Sequence, residues 1–158
     1  MYQLENLKRF HSSEISDALD ACGVEGALLN IKPIVSGVKL IGPVYTVQYT
    51  SYDKKPKEFK MAGDYIDHVP EYHVIVLDNQ GREDCTCWGS ILTQFSLMKN
   101  INATVVNGSV RDIDFIRQVK YPVFSRNVYM RSAKNRAYKS SEQIAIKIGE
   151  VVINPGDI

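Results

Sequence analysis

Arg111 and Asp112 stand side by side, and this pair is the most direct chemistry the chain offers. A guanidinium is a planar fork that grips a carboxylate through two hydrogen bonds. An aspartate beside it can hold a hard cation such as Mg²⁺, which keeps several waters and takes few protein ligands. Upstream, Gly89-Ser90-Ile91-Leu92 opens a run with helical spacing, and the backbone N–H groups of a helix start can face an anion. Each feature also has a plain structural reading. Asp112 can cap a helix over 113–119 while Arg111 pairs with a surface acid. Residues 89–92, taken alone, can be an ordinary capped helix start.

Other groups that could react are scattered. His68 and His73 are five apart, which suits neither a helical i, i+4 pair nor one face of a strand, and His11 is remote. Cys85 and Cys87 fit small buried residues at the entry to a helix better than zinc ligands. The chain contains no GxGxxG, GxxxxGKS, HExxH or GxSxG, so dinucleotide, P-loop, zincin and serine-hydrolase readings have no support.

The elements that must position Arg111 and Asp112 follow from periodicity. Ile91, Leu92, Phe95 and Met98 predict a helix with one apolar face, with Ser90 as its N-cap. Ala103-Thr104-Val105-Val106 predicts a short buried strand, ended by Asn107-Gly108-Ser109. The Arg-Asp pair and the helix start would then sit at the ends of adjacent elements.

Further upstream, Ser12-Ser13-Glu14 starts a helix whose Ile15, Ala18, Leu19 and Cys22 share a face, with Gly23 at its C-cap. Residues 31–35 read as extended with Pro33 at a sheet edge, and 38–50 as a strand pair or one strand bent at Gly42-Pro43. Asp53-Lys54-Lys55-Pro56-Lys57 reads as a polar loop and 65–71 as a short helix. Residues 74–78 read as a buried strand running into the turn Asp78-Asn79-Gln80-Gly81-Arg82. A helix over 113–119, a strand from Tyr121, a mixed stretch over 140–148 and a strand over 150–153 complete the pattern. Strands and helices interleave without internal repeats, which predicts an α/β fold with a mixed sheet.

Composition sets the outer limits. A chain of 158 residues with 44% hydrophobic and 23% charged content has the makings of one domain with a real core. The net charge of +1 gives no overall field toward nucleic acid or membrane. No apolar run approaches the ~20 residues of a membrane span. The start MYQLENLKRF lacks the apolar core of a signal peptide, and three cysteines make no disulfide framework, so the expected compartment is the cytoplasm. Charge is uneven, however. Residues 115–141 carry seven basic side chains and no acidic one, while the rest of the chain has 12 basic against 18 acidic. With Tyr121, Tyr129 and Tyr138 interleaved, this segment reads either as an RNA-binding stripe or, more simply, as a solvated loop over 125–140 that touches a neighbouring subunit.

Taken together, the ordered motifs resemble the family that unites class II 4-hydroxy-4-methyl-2-oxoglutarate aldolases with RraA-type regulators of RNase E. The family pattern of Gly, an acid or Asn, any residue, Leu, and about twenty residues to Arg-Asp is matched by Gly89-Ser90-Ile91-Leu92, eighteen residues, and Arg111-Asp112. Ser16-Asp17-Ala18-Leu19-Asp20 with Gly23, Gly42-Pro43-Val44-Tyr45-Thr46-Val47, Tyr121-Pro122-Val123-Phe124-Ser125-Arg126 and the ending Val151 to Asp157 extend the likeness along almost the whole chain.

The resemblance implies a swivelling β/β/α sandwich with a mixed central sheet, formed by residues 1–158 as a single domain that assembles as a homotrimer or a hexamer. It implies that Gly89, Ser90, Ile91, Leu92 and Arg111 bind the carboxylate of a small 2-oxo acid. Arg111 and Asp112 would be the catalytic pair, with Asp112 holding Mg²⁺ or Mn²⁺. The implied activity is aldol cleavage of 4-hydroxy-4-methyl-2-oxoglutarate type, oxaloacetate decarboxylation, or both, through a pyruvate enolate. The alternative within the family is a non-catalytic regulator that binds an RNA-processing partner. Two departures bear on this choice. Ser90 stands where the aldolases carry an acid or Asn, and the family continues past its PGD motif into a tail, so the natural chain is expected to extend beyond Ile158. Asp114, near Asp112, is a further candidate for ordering a metal's waters.

Overall fold

The computed structural model describes residues 2–52 and 63–158. The expected polar loop at 53–57 lies outside the described residues. Elements run in the order α1 (Tyr2–Leu7), α2 (Ser12–Ala21), β1 (Lys32–Pro33), β2 (Val44–Ser51), a 3₁₀ turn (Asp64–His68), β3 (Val74–Asp78), β4 (Thr86–Trp88), α3 (Ser90–Met98), β5 (Ala103–Val110), α4 (Ile113–Gln118), β6 (Val123–Val128), β7 (Ala137–Glu142), β8 (Ile146–Ile148) and β9 (Val151–Ile153).

The main sheet has the order β1-β6-β5-β3-β2-β7, with β4 added to β5. Strands β6, β5, β3 and β2 run parallel to one another, and β4 is parallel to β5. The edge strands β1 and β7 run antiparallel, so the sheet is mixed. Pro33 sits on edge strand β1, where its missing N–H costs no ladder bond.

Period-two alternation divides the core into two layers. On one face, Ile75, Leu77, Val106 and Val110 pack with Tyr65 and Ile66 of the 3₁₀ turn, Trp88, and Ile116 of α4. On the other, Val74, Val76, Ala103 and Val105 pack with Ile146, Ile148, Val151 and Ile153 of the antiparallel β8–β9 hairpin. A helical layer, a large sheet and a small sheet are thus stacked, which is the expected β/β/α sandwich. Burying a single Val or Leu contributes about 1.5–3 kcal/mol, and these two layers supply most of the drive for folding.

Several expectations need correction. Asn107-Gly108-Ser109 does not end a strand: β5 runs on to Val110, all of it buried. Gly108 is there for close approach, since a Cβ would lie 3.0 Å from Asn79 Cβ and 3.1 Å from the Arg82 carbonyl. Ordered strand over 38–50 begins only at Val44, beyond Gly42-Pro43. The segment over 125–140 is no continuous loop, because β6 extends to Val128 and β7 begins at Ala137. The helix over 65–71 is a 3₁₀ turn at 64–68.

Candidate functional site

Two parallel neighbours create the site. Strand β4 delivers Gly89 and the start of α3, and β5 delivers Arg111 and Asp112 at the start of α4. The Arg111 N–H donates to the Trp88 carbonyl (3.1 Å), which locks the two strand exits together. Gly89 has extended backbone, and its role is space. A Cβ there would lie 2.7 Å from Asp112 Oδ2 and 3.0 Å from Arg111 Cγ.

Ser90 is not the N-cap of α3. Gly89 holds that position, and Ser90 turns to Asp112 instead: its N–H (2.9 Å) and its hydroxyl (2.8 Å) both donate to Asp112 Oδ2. Arg111 Nε lies 3.8 Å from the same oxygen. Asp112 occupies the N-cap of α4 but makes no side-chain bond to that helix, so its carboxylate is committed across the site rather than to capping. Its backbone is left-handed (φ 56°), a conformation that costs a non-glycine residue roughly 1 kcal/mol or more and that seven other non-glycine residues among those described also adopt. Partial burial pushes the Asp112 carboxyl up, but the two Ser90 donors and Arg111 outweigh it and hold it below its ordinary range. The carboxylate is therefore charged at neutral pH.

The amides of Ile91 and Leu92, in the first turn of α3, have no carbonyl ahead of them in the helix and are available to an anion. They open, with Arg111 and Asp112, onto a cavity of about 340 Å³ walled by Ile66, Trp88, Leu92 and Phe95. Trp88 is fixed by its Nε1 donating to Thr93 Oγ1 (3.0 Å), which in turn donates to the Gly89 carbonyl (2.9 Å), and by stacking on Tyr121. The structure thus brings all six expected site residues, Gly89, Ser90, Ile91, Leu92, Arg111 and Asp112, to one cavity. Asp114 and all three histidines lie outside its lining.

Sequence reading missed Trp88, Asp64 and Asp67, which also line the cavity. The two aspartates lie on a short 3₁₀ turn, remote in sequence from the Arg-Asp pair, and only the fold joins them. Thr86, on β4, has a buried hydroxyl with no hydrogen-bond partner among the described residues.

Among the described residues no three His, Cys, Asp or Glu side chains gather to hold a metal ion, so the zinc arrangement of histidines and cysteines is not formed. Asp112 is the carboxylate set beside Arg111 and the start of α3, and it could carry a cation. Ser90 occupies Oδ2, and Oδ1 is left for a hard ion such as Mg²⁺, whose shell would be completed by water and ligand oxygens. That donor set fits Mg²⁺ or Mn²⁺ held through one carboxylate and would not fit a thiophilic metal.

The comparisons with known proteins bear on this site. A family model described as RraA-like, Aldolase/RraA, matches residues 12–158. Protein DlpA of Legionella pneumophila is 55% identical over 98% of this chain, which spans 25% of that protein's length. A Halalkalibacterium halodurans protein, named for 4-hydroxy-4-methyl-2-oxoglutarate aldolase as a proposed activity, is 31% identical over 91% of this chain and 65% of its own length. Among solved structures, Streptomyces coelicolor RraAS2, described as an unusual member of the RNase ES inhibitor RraA protein family, shares the fold with TM-score 0.88 and 21% identity. That match covers 98% of this chain and 78% of the Streptomyces chain. The chain thus spans a quarter of the Legionella relative and just under two thirds of the Halalkalibacterium one.

Proposed function

The chain belongs to the RraA-like (Aldolase/RraA) family, and we propose that it is a divalent-metal-dependent lyase of small 2-oxo acids, acting from one RraA-like domain. The observation that carries this reading is the constellation of Arg111, the first-turn amides of α3, and an ionised Asp112 held by Ser90, all facing one cavity. Arg111 and the Ile91 and Leu92 amides grip the carboxylate of the 2-oxo acid. Trp88 and Leu92 exclude water from its carbon chain.

The bond that breaks is C3–C4. In aldol cleavage the C4 hydroxyl gives its proton to solvent and becomes the carbonyl of the departing aldehyde or ketone. The electron pair of the broken bond enters the enolate of pyruvate, and C3 then takes a proton. In oxaloacetate decarboxylation the C4 carboxylate leaves as CO₂ and the same enolate results. Bound Mg²⁺ or Mn²⁺ at Asp112 would supply electrophilic stabilisation of the charge that develops on the oxo oxygen.

A non-catalytic regulator of an RNA-processing partner is the second reading. Ser90 supports it, because a neutral hydroxyl takes the place of a carboxylate or amide that would order a metal's waters. The basic segment bears on it less directly. Of its seven basic side chains, Lys139 is paired with two carboxylates, while Arg117, Arg126 and Arg136 bond to a carbonyl, Asn107 and carbonyls and Arg131 lies over Tyr129, contacts that tie these four to the fold and leave their charge in place.

The deciding experiment measures pyruvate released from oxaloacetate with Mg²⁺ or Mn²⁺, with and without chelator, beside Arg111→Ala and Asp112→Ala. Turnover that chelator abolishes and both variants lose by about 100-fold or more is expected. Turnover equal to that of metal alone would overturn the lyase reading in favour of the regulator.

A further inference from the structure

A second cavity, of about 470 Å³, opens at the carboxyl ends of the parallel strands β2, β3 and β5. Open α/β sheets bind their ligands at that end. Strand register builds it. Gln48, Asp78 and Asn107 are direct partners across the three strands, so their side chains form one row on a single face of the sheet. That row follows Val76 and Val105, the last apolar pair under the β8–β9 hairpin. Arg126 of β6 and Lys147 of the hairpin also line the cavity, and every side chain in its lining is polar or charged.

Asp78 is 4% exposed. Its Oδ1 accepts from Asn107 Nδ2 (2.7 Å) and from the Gln80 N–H (2.8 Å), and Asn107 Oδ1 in turn accepts from Arg126 Nε. A clasp that only tied strand ends together would use up its buried polar atoms. This one does not. Asp78 Oδ2, both terminal nitrogens of Arg126 and the carboxamides of Gln48 and Gln80 have no partner among the described residues. Asp78 Oδ2 is not sealed from solvent as the Tyr65, Thr86 and Ser96 hydroxyls are. The exposed Lys147 pairs with Glu150 (3.0 Å), which leaves Arg126 as the unpaired cation of the lining. Its terminal nitrogens are charged and only donate, so they complement an anionic oxygen. Asp78 Oδ2 complements a donor, and the carboxamides complement a group that both donates and accepts, as a hydroxyl does. We infer that this cavity binds a small hydroxylated anion, with its carboxylate or phosphate on Arg126 and a neighbouring hydroxyl on Asp78. The lyase reading uses none of these residues, so the two stand or fall separately.

The test titrates the whole ¹⁵N-labelled chain with D-glycerate and glycerol 3-phosphate, which carry both groups. Propanoate carries an anion alone and glycerol hydroxyls alone. The side-chain carboxamide signals of Gln48, Gln80 and Asn107 report this cavity, and the main-chain amides of Ile91 and Leu92 report the other one. At least one hydroxylated anion is expected to move the three carboxamide signals to saturation, with Kd about tenfold or more below those of propanoate and glycerol. The tighter of the two identifies the anionic group as carboxylate or phosphate. Arg126→Gln should weaken this binding by about tenfold or more, and Gln48→Ala by about threefold or more. The Arg126→Gln loss is decisive. Should that variant fail to fold, Gln48→Ala decides, because the Gln48 side chain bonds to no described residue and its loss should leave the fold intact. Carboxamide signals that no probe moves, or shifts confined to Ile91 and Leu92, would overturn the proposal. So would hydroxylated anions that bind no tighter than propanoate, or binding that the deciding variant leaves unchanged. Asp78, Asn107 and Arg126 would then be a structural clasp alone.

Discussion

At the scale of single residues, Ser90 and Asp112 are the pair on which the site turns. Both Ser90 donors reach one oxygen of Asp112, and they help hold that carboxyl below its ordinary range. In Ser90→Ala the hydroxyl bond is lost and the backbone bond remains. The Asp112 titration, followed by carboxyl ¹³C NMR, is therefore expected to move upward toward the ordinary aspartate range. An unchanged titration would mean that the hydroxyl does not hold the carboxylate. Gly89→Ala should be harsher for function, because its Cβ would fall 2.7 Å from Asp112 Oδ2 and displace the carboxylate. Loss of pyruvate formation by about tenfold or more, with little change in Tm, is the expected outcome. Outside the cavity lining, Glu142 is a stability element. Burial pushes its carboxyl up, but the Tyr45 hydroxyl (2.7 Å), Lys139 and His68 together bring it down to about 2. A lowered folded value means stability that is fully present above the ordinary carboxylate range and is lost as pH falls toward about 2. Tyr45→Phe removes one of these bonds and should cost about 1.5–3 kcal/mol by urea denaturation at pH 7. The cost should be smaller at pH 3, where the ionised advantage is fading. An equal loss at both values would show that the effect is packing alone.

At the scale of elements, the clearest result is that α3 is turned outward. Of its apolar series, Ile91, Phe95 and Met98 are exposed and Leu92 alone packs partly against the core, while its buried residues are Thr93 and Ser96. The helix itself was legible in the spacing, but which face meets the core was not. Periodicity reports an apolar stripe and says nothing of what covers it. Thr93 is buried because it bonds the Trp88 indole and the Gly89 carbonyl, a link no local pattern announces. The same limit explains β5. Asn107-Gly108-Ser109 has turn composition, yet Asn107 donates to Asp78 (2.7 Å), Ser109 donates to the Glu83 carbonyl (3.1 Å) and Gly108 admits Asn79. Tertiary partners override a local preference for turns. The Arg-Asp pair and the GxxL start were singled out by residue type and ordered spacing, and they line one cavity, whereas Asp64 and Asp67 entered only through the fold. These differences predict a hierarchy of opening. Strand β5 is buried throughout and is paired to β3, β4 and β6, while α2 has no buried residue. Native-state amide exchange should be slowest in β5 and faster by orders of magnitude in α2. Comparable protection in the two would contradict this account of the core.

At the scale of the whole molecule, the outward face of α3 and the cavity are one question. Ile91 and Phe95 belong to both: each is exposed on the helix and each lines the cavity. Met98, 78% exposed, continues the stripe and does not line the cavity. A monomer would leave this apolar stripe in water, and a second copy seated on it would cover the stripe and close one side of the cavity at once. A homotrimer or hexamer assembled through this stripe would make assembly a condition of activity. Native mass spectrometry of the 17.8 kDa chain should give a trimer or a multiple of it, and specific activity should fall on dilution below the assembly constant. Met98→Glu tests the link without touching the cavity wall. It places a charge on the stripe and should shift the mass toward monomer, with activity lost at low protein concentration and regained at high. Its effect on monomer stability should stay within about 0.5 kcal/mol, as for an exposed helix position. A wild-type chain that remains a monomer with undiminished activity on dilution would separate the stripe from catalysis.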